Sequence, residues 1–257
     1  MAGRPRISAG VAFAVAALLA LPATSAAQLR VILSGGFSAP YGELLPEFER
    51  TTGITVTTTR GGSIGGSPNT IPNQIRRGVP ADVVILAREG LSQIIAEGAI
   101  VAGTDVDLAS SVLGMIVREG TPIPDISTVE GLREALLGAE SVSLSTSTSG
   151  TYLTTQLFPR LGIADQMAPK TLTGGAAAVG RGEATMGLQN VSEVLPVPNS
   201  EFVGAFPQEV QYTTTYAAAV VRGSTEVDAA RRLIAFLASA DASAVIVRSG
   251  MEPGGQR

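Results

Sequence analysis

Four polar loops carry the residues of this chain that could bind a ligand. They span residues 34–38, 60–70, 145–150 and 189–193. They supply hydroxyl groups, side-chain amides and Gly-rich backbone N–H groups, which together can hold an anion. None contains the carboxylate cluster that a metal ion needs, so we predict an anion site with neither metal nor cofactor.

The predicted ligand-binding residues all lie in these loops. Arg60 stands where a strand gives way to a Gly-rich loop, and its guanidinium could bind a carboxylate through two parallel hydrogen bonds. The other predicted ligand-binding residues are uncharged: Gly35, Gly36, Ser38, Ser63, Asn69, Thr70, Ser147, Ser149, Gly150, Gln189 and Asn190.

The composition excludes several kinds of chemistry. The chain has no Cys and no His, which rules out disulfides, zinc–thiolate sites, Ser-His-Asp triads and imidazole acid–base catalysis. Any catalysis must use carboxylates, tyrosines, the single lysine Lys170 or backbone dipoles. The net charge of −4 gives no indication of nucleic-acid binding.

Strands and helices that alternate along the chain must position the four loops. Apolar or β-branched strands are predicted at 29–33, 54–59, 81–86, 112–117, 141–144, 185–189 and 212–221, with amphipathic helices between most of them. This order predicts an α/β fold with parallel sheets covered on both faces. The alternation restarts near residue 110, which indicates two lobes. Asp82 begins a buried strand and is interpreted as structural.

The N-terminus has the pattern of a secretory signal peptide. Arg4 and Arg6 precede an apolar stretch from Val11 to Leu21, and small residues follow up to Ala27. The stretch is short for a membrane span. We therefore predict cleavage after Ala27 and export of the mature chain to the periplasm.

Several of these segments resemble the molybdate-type periplasmic solute-binding proteins. The similar segments are 70–75, 78–85 and 182–187, and the resemblance extends over nearly the whole mature chain. It implies a type II periplasmic-binding-protein fold: two lobes, each with a mostly parallel central sheet, and a ligand in the cleft between them. The implied division is 1–27 signal peptide, 28–110 first lobe, 111–212 second lobe, and 213–257 return crossover and C-terminal part of the first lobe.

Three further segments, 35–39, 68–73 and 193–198, resemble the periplasmic aconitate isomerases, a branch of the same family. That resemblance implies a cofactor-independent 1,3-proton shift that interconverts trans- and cis-aconitate. Glu193 and Tyr152 are the predicted proton carriers, and Glu43 and Tyr41 remain open alternatives.

Three functions remain open from the sequence. The first is a monomeric receptor for a small polycarboxylate that delivers it to an inner-membrane ABC permease. The second is an aconitate isomerase, and the third is a receptor for molybdate or another tetrahedral oxyanion. Arg60 and the long loop that follows it favour the first two, because they suit a larger and more highly charged ligand.

Overall fold

The computed structural model describes residues 27–254. The predicted signal peptide lies outside this range except for Ala27, its last residue. The strands are Gln28–Leu33 (β1), Thr55–Arg60 (β2), Val83–Ala87 (β3), Val106–Arg118 (β4), Val142–Leu144 (β5), Thr171–Thr173 (β6), Met186–Asn190 (β7), Ser200–Ala205 (β8), Thr213–Val220 (β9) and Glu252–Pro253 (β10).

The α-helices are mostly short. They are Ser38–Thr52 (α1), Ile71–Arg76 (α2), Arg88–Ala96 (α3), Val129–Gly138 (α4), Thr148–Tyr152 (α5), Phe158–Arg160 (α6), Ala164–Met167 (α7), Ala177–Gly180 (α8), Val191–Val194 (α9), Val227–Leu237 (α10) and Ala240–Arg248 (α11). A π-helical turn, Leu153–Leu157, joins α5 to α6, so residues 148–160 form one continuous helical segment.

A parallel sheet with two antiparallel strands beside it forms the first lobe. Strands β2, β1 and β3 are parallel neighbours, and β9 then pairs antiparallel with both β3 and β4. Strand β3 is buried along its whole length because helices cover both faces of the sheet. Helices α10 and α11 contact α1 here, so the end of the described chain packs in this lobe.

The second lobe repeats the arrangement on a smaller scale. Strands β6, β5 and β7 are parallel, and β7 and β8 pair antiparallel with the second half of β4. Its main apolar core contains Leu113, Leu132, Leu153 and Leu188 and is separate from the cores of the first lobe.

Strand β4 links the two lobes. Its first part, Val106 to Val112, pairs with β9, and its second part, Leu113 to Val117, pairs with β7. The predicted strand began at 112, so the structure extends it by six residues toward the N-terminus. The mixed α/β sheet and its two halves confirm the predicted fold class. In the described range, no helix is both long and apolar enough to span a bilayer.

Asp82, interpreted from the sequence as structural, is fully buried beside β1. It accepts hydrogen bonds from the Arg30 backbone N–H (2.8 Å), the Arg30 guanidinium (2.9 Å) and Ser224 Oγ (2.8 Å). Burial alone would raise the pKa of Asp82, but these hydrogen bonds and the charge of Arg30 lower it below its usual value. The carboxylate therefore stays ionised and ties the start of β3 to β1.

Candidate functional site

The four polar loops meet in one place. Each follows the carboxyl end of a parallel strand: β1, β2, β5 or β7. Parallel strands end at the same edge of a sheet, and the loops of both lobes contribute to one cavity. The result is an enclosed cavity of about 150 Å³, lined by Ser34, Gly35, Gly36, Gly62, Ser63, Ser145, Thr146, Ser147, Thr148, Ser149, Asn190, Glu193 and Tyr216.

A second, more open cavity adjoins the first. It has a volume of about 410 Å³ and shares Gly35 and Glu193 with the enclosed cavity. Its other walls come from both lobes: Ser38 and Ala39 from the first, and Gly174–Ala177, Gln189, Ser192, Pro196 and Val197 from the second. Glu193 therefore lies at the junction of the two spaces.

Hydroxyl groups without partners face this space. Of the described residues, four have a buried hydroxyl oxygen without a hydrogen-bond partner: Ser34, Ser143, Thr148 and Ser192. Ser34 and Thr148 line the enclosed cavity, and Ser192 lines the open one. Buried polar groups are normally satisfied, so the hydroxyls of Ser34, Thr148 and Ser192 indicate positions where a ligand could supply the missing acceptor or donor.

Glu193 is held by two amides and by no cation. Gln189 Nε2 donates to Glu193 Oε1 (2.6 Å), and Asn190 Nδ2 donates to Oε2 (3.2 Å). The amide of Gln189 is oriented in turn by the Ala176 N–H, which donates to Gln189 Oε1 at 2.7 Å. Asn190 Oδ1 accepts from Thr214 Oγ1 at 3.2 Å. These contacts fix the position of the carboxyl group.

Burial gives this carboxyl group an unusual pKa. Desolvation raises the pKa of Glu193 to about 7, because the hydrogen bonds from Gln189 and Asn190 offset only part of the effect. The two cavities contain no Lys or Arg among the described residues that line them. With its pKa raised to about 7, Glu193 can both accept and return a proton near neutral pH.

Two glycines let the first loop approach these groups closely. A Cβ on Gly35 would lie 2.6 Å from Glu193 Oε1, and a Cβ on Gly36 would lie 1.9 Å from the Tyr216 hydroxyl oxygen. Both distances are shorter than a real contact, so any larger residue at 36 would have to displace the buried Tyr216 ring and one at 35 would have to displace the Glu193 carboxyl group. The backbone of the 34–38 loop thus packs directly against Glu193 and Tyr216.

The predicted ligand-binding residues divide into three sets. The structure places Gly35, Gly36, Ser63, Ser147, Ser149 and Asn190 around the enclosed cavity, and Ser38 and Gln189 around the open one. It places Arg60, Asn69, Thr70 and Gly150 in neither lining. The Arg60 side chain is exposed and donates to Ser38 Oγ, so it lies near the open cavity without lining it.

Of the four candidate proton carriers, the structure places one at the cavities. Glu193 lies at the junction of the cavities, whereas Tyr152 stacks on Tyr212 with ring centroids 4.5 Å apart and donates to the Val210 carbonyl at 3.3 Å. Tyr41 is buried against Thr58, and Glu43 pairs with Arg248 at the surface. None of these three alternatives lines either cavity.

Tyr216 is a residue of the site that was not predicted from the sequence. This residue lies inside strand β9 rather than in a loop, and its side chain is 3% exposed. The only local signal is one large side chain with a polar tip in a strand of Thr, Ala and Val.

No group of three or more His, Cys, Asp and Glu within residues 27–254 could hold a metal ion.

Comparisons with known proteins agree with this architecture. The chain is 38% identical to an aconitate isomerase from Pseudomonas sp. over 242 residues, which is 92% of this chain and 90% of the relative. It superposes on the Azotobacter vinelandii periplasmic molybdate-binding protein with a TM-score of 0.71 at 18% identity, covering 88% of this chain and 100% of the other. The Mycobacterium tuberculosis sulfate-binding protein SubI gives 0.67 at 19% identity, with coverages of 88% and 87%.

The structural neighbours share less than a fifth of their residues with this chain, so they define its fold alone. A family model adds the sequence-level assignment: the model described as bacterial extracellular solute-binding protein matches residues 29–252, nearly all of the described range. The chain therefore belongs to the bacterial extracellular solute-binding protein family.

Proposed function

We propose that this protein is a periplasmic, cofactor-independent isomerase of aconitate or a closely related unsaturated polycarboxylate. Glu193 carries the proposal, since it is a carboxyl group with a pKa of about 7 at the junction of two cavities. The 38% identity to an aconitate isomerase over most of both chains supports it. The predicted signal peptide supports the location.

For a receptor that only binds anions, the ionised form of such a residue is unfavourable. An ionised Glu193 would repel a ligand carboxylate by roughly 3 kcal/mol at about 5 Å in a medium of effective dielectric 20. An isomerase, in contrast, needs a base beside its substrate. In an allylic proton shift, Glu193 takes a proton from the methylene carbon, and the double bond moves as the proton is returned at the other end of the three-carbon unit.

Neutral hydrogen-bond donors around the cavity suit a second requirement of this reaction, which is to stabilise negative charge on the substrate. Removing the proton spreads negative charge onto the substrate carboxylates. The hydroxyls of Ser34 and Thr148 and the backbone N–H groups at the start of the short helical turn Gly35–Phe37 are available to stabilise that charge. The open cavity continues past Glu193 and offers room for a ligand larger than a tetrahedral oxyanion.

A receptor for the same polycarboxylates is the second candidate. Membership of a solute-binding family and a cleft lined mostly by hydroxyl and backbone groups favour it. In that case Glu193 would stay protonated when the ligand binds, and an ABC permease would be the partner. A molybdate or sulfate receptor is disfavoured, because a titrating carboxyl group would share the small enclosed cavity with a fully ionised oxyanion.

The test is turnover of trans-aconitate by the purified mature protein, with cis-aconitate followed by chromatography. We expect turnover by the wild type and a loss of about 100-fold or more in Glu193→Gln, since general-base catalysis typically contributes this much. Glu134→Gln is the matched control, because Glu134 is exposed on α4 and lines neither cavity. Its rate should equal that of the wild type.

The pH profile gives a second readout of the same prediction. Glu193 must be ionised in the free protein to accept a proton, so kcat/KM should rise about tenfold per pH unit below 7 and level off above it. Tight binding of aconitate without turnover at any pH would instead identify the protein as a receptor.

A further inference from the structure

We infer that Tyr216 is a catalytic residue of this site: its phenol proton forms a hydrogen bond to the substrate carboxylate next to the carbon that Glu193 deprotonates. The inference rests on the proposed function. No proton leaves Tyr216 in this role. The phenol strengthens its hydrogen bond as negative charge moves onto the carboxylate, and relaxes when the carbon is protonated again.

The direction of the Tyr216 proton is set by Asn190. Asn190 Nδ2 donates to the Tyr216 hydroxyl oxygen at 2.6 Å, so the phenol accepts this bond and keeps its own proton for another acceptor. When Glu193 is ionised, Asn190 cannot turn its amide round, because its Oδ1 would then face the carboxylate in place of the donor Nδ2. Among residues 27–254, the bond from Asn190 is the one hydrogen bond that the Tyr216 hydroxyl makes, so no described residue accepts its proton.

Tyr216 also lies at the wall of the enclosed cavity. The residue lines the enclosed cavity although only 3% of its surface is exposed, and the Gly36 backbone packs against its hydroxyl. Asn190 bonds both Tyr216 and Glu193, which keeps the two groups at neighbouring points of the cavity wall. A substrate that contacts Glu193 in the enclosed cavity therefore also meets the phenol.

The protonation state of Tyr216 suits a hydrogen-bond donor. Burial, together with the negative charge of Glu193, raises the pKa of the Tyr216 phenol well above its usual value. The group therefore keeps its proton at every pH at which the protein would work. In a cavity whose described lining residues include no cation, a fixed neutral donor is the available means of stabilising the developing charge.

The decisive variant is Tyr216→Phe, which removes the hydroxyl and keeps the ring. We expect kcat for aconitate to fall about 100-fold, the usual effect of losing one preorganised donor, with KM changed much less. The matched control is Tyr41→Phe. Tyr41 is equally buried and its hydroxyl bonds Thr58 Oγ1 at 2.7 Å, but it lines neither cavity, so kcat should not change.

A binding measurement separates this inference from the proposed function. Propane-1,2,3-tricarboxylate is saturated and cannot isomerise, and its Kd can be measured by calorimetry. Tyr216→Phe should weaken it about tenfold, and Tyr41→Phe should not. If the wild type binds the tricarboxylate but turns over no aconitate, the isomerase proposal fails. In that case a higher Kd in Tyr216→Phe still identifies the phenol as a hydrogen-bond donor to the ligand. Unchanged kcat and Kd in Tyr216→Phe, or no binding by the wild type, would overturn the inference.

Discussion

At the scale of single residues, the site combines one titrating carboxyl group with a wall of neutral donors. Glu193 has a pKa near 7 because the protein buries it without a cation, and the nearby hydroxyls of Ser34 and Thr148 lack partners. Arg60, the cation that the sequence suggested for ligand binding, is exposed and contacts Ser38 instead. Charge is therefore scarce within this site, and hydrogen-bond geometry is its main means of recognition.

The unpartnered hydroxyls lead to a prediction about affinity. Ser34→Ala and Thr148→Val should each weaken the binding of a tricarboxylate about tenfold, since a hydrogen bond to a charged group contributes about 1.5 kcal/mol. Calorimetry on the purified variants measures this. Ser143→Ala is a matched control, because its hydroxyl is also buried and unpartnered but lines neither cavity. If all three variants lose the same amount of tricarboxylate affinity, the hydroxyls affect folding and do not contact the ligand.

At the scale of elements, the ends of parallel strands determine where the polar loops meet, and glycines determine how tightly they turn. Gly150 shows this at the start of the helical segment 148–160. A Cβ there would lie 1.8 Å from the Ser145 carbonyl oxygen, so the 145–150 loop can fold back on itself only with Gly. Gly150 thus shapes the wall of the enclosed cavity without lining it.

Gly150→Ala should therefore both destabilise the protein and impair the site. We expect a loss of about 2 kcal/mol or more in the free energy of unfolding, measured in urea, because the loop backbone must move. Gly42→Ala is the contrasting control. Gly42 is exposed within α1, with nothing within 4 Å of its Cβ position, and Ala is the better helix former, so stability should rise by up to about 1 kcal/mol. If Gly150→Ala leaves the free energy of unfolding unchanged, this result would contradict the close approach of residue 150 to the Ser145 carbonyl oxygen.

At the scale of the whole molecule, hydrogen bonds made by Ser147 and Tyr212 join the lobes across the cleft, in addition to those of Asn190 with Thr214 and Tyr216. Ser147 Oγ of the second lobe accepts from the backbone N–H groups of Ser63 (3.0 Å) and Ile64 (3.4 Å). At another point of the interface, the Tyr212 hydroxyl donates to Glu89 Oε1 at 2.5 Å. These contacts hold the lobes together around the enclosed cavity, and we interpret this arrangement as a closed state.

Tyr212→Phe should shift the protein toward an open state. The variant loses the bond to Glu89 but keeps the ring that stacks on Tyr152. We expect a larger radius of gyration in X-ray scattering without ligand and several-fold weaker tricarboxylate binding, since part of the binding energy must now close the cleft. Tyr41→Phe removes a hydroxyl bond inside the first lobe and should change neither quantity. An unchanged radius and affinity in Tyr212→Phe would show that Glu89 and Tyr212 do not control closure.

The sequence by itself determined the class of fold, the four loops and the range of possible chemistry. Strand periodicity and loop composition are local properties, and parallel strands bring their following loops to one edge whatever the details of packing. The absence of Cys and His left carboxylates and phenols as the main catalytic groups, and Glu193 was among the few candidates. Strand β8 and helix α11 were not among the predicted elements.

Only the tertiary structure decided among the candidate residues. Which side chains face the cavity depends on the turn that each loop makes, and this separated Glu193 from Tyr152 and left Arg60 outside both linings. The pKa of Glu193 depends on its burial, which comes from packing between distant segments. Tyr216 entered the site because strand β9 passes behind the 34–38 loop, a contact between residues that lie 180 positions apart in the chain.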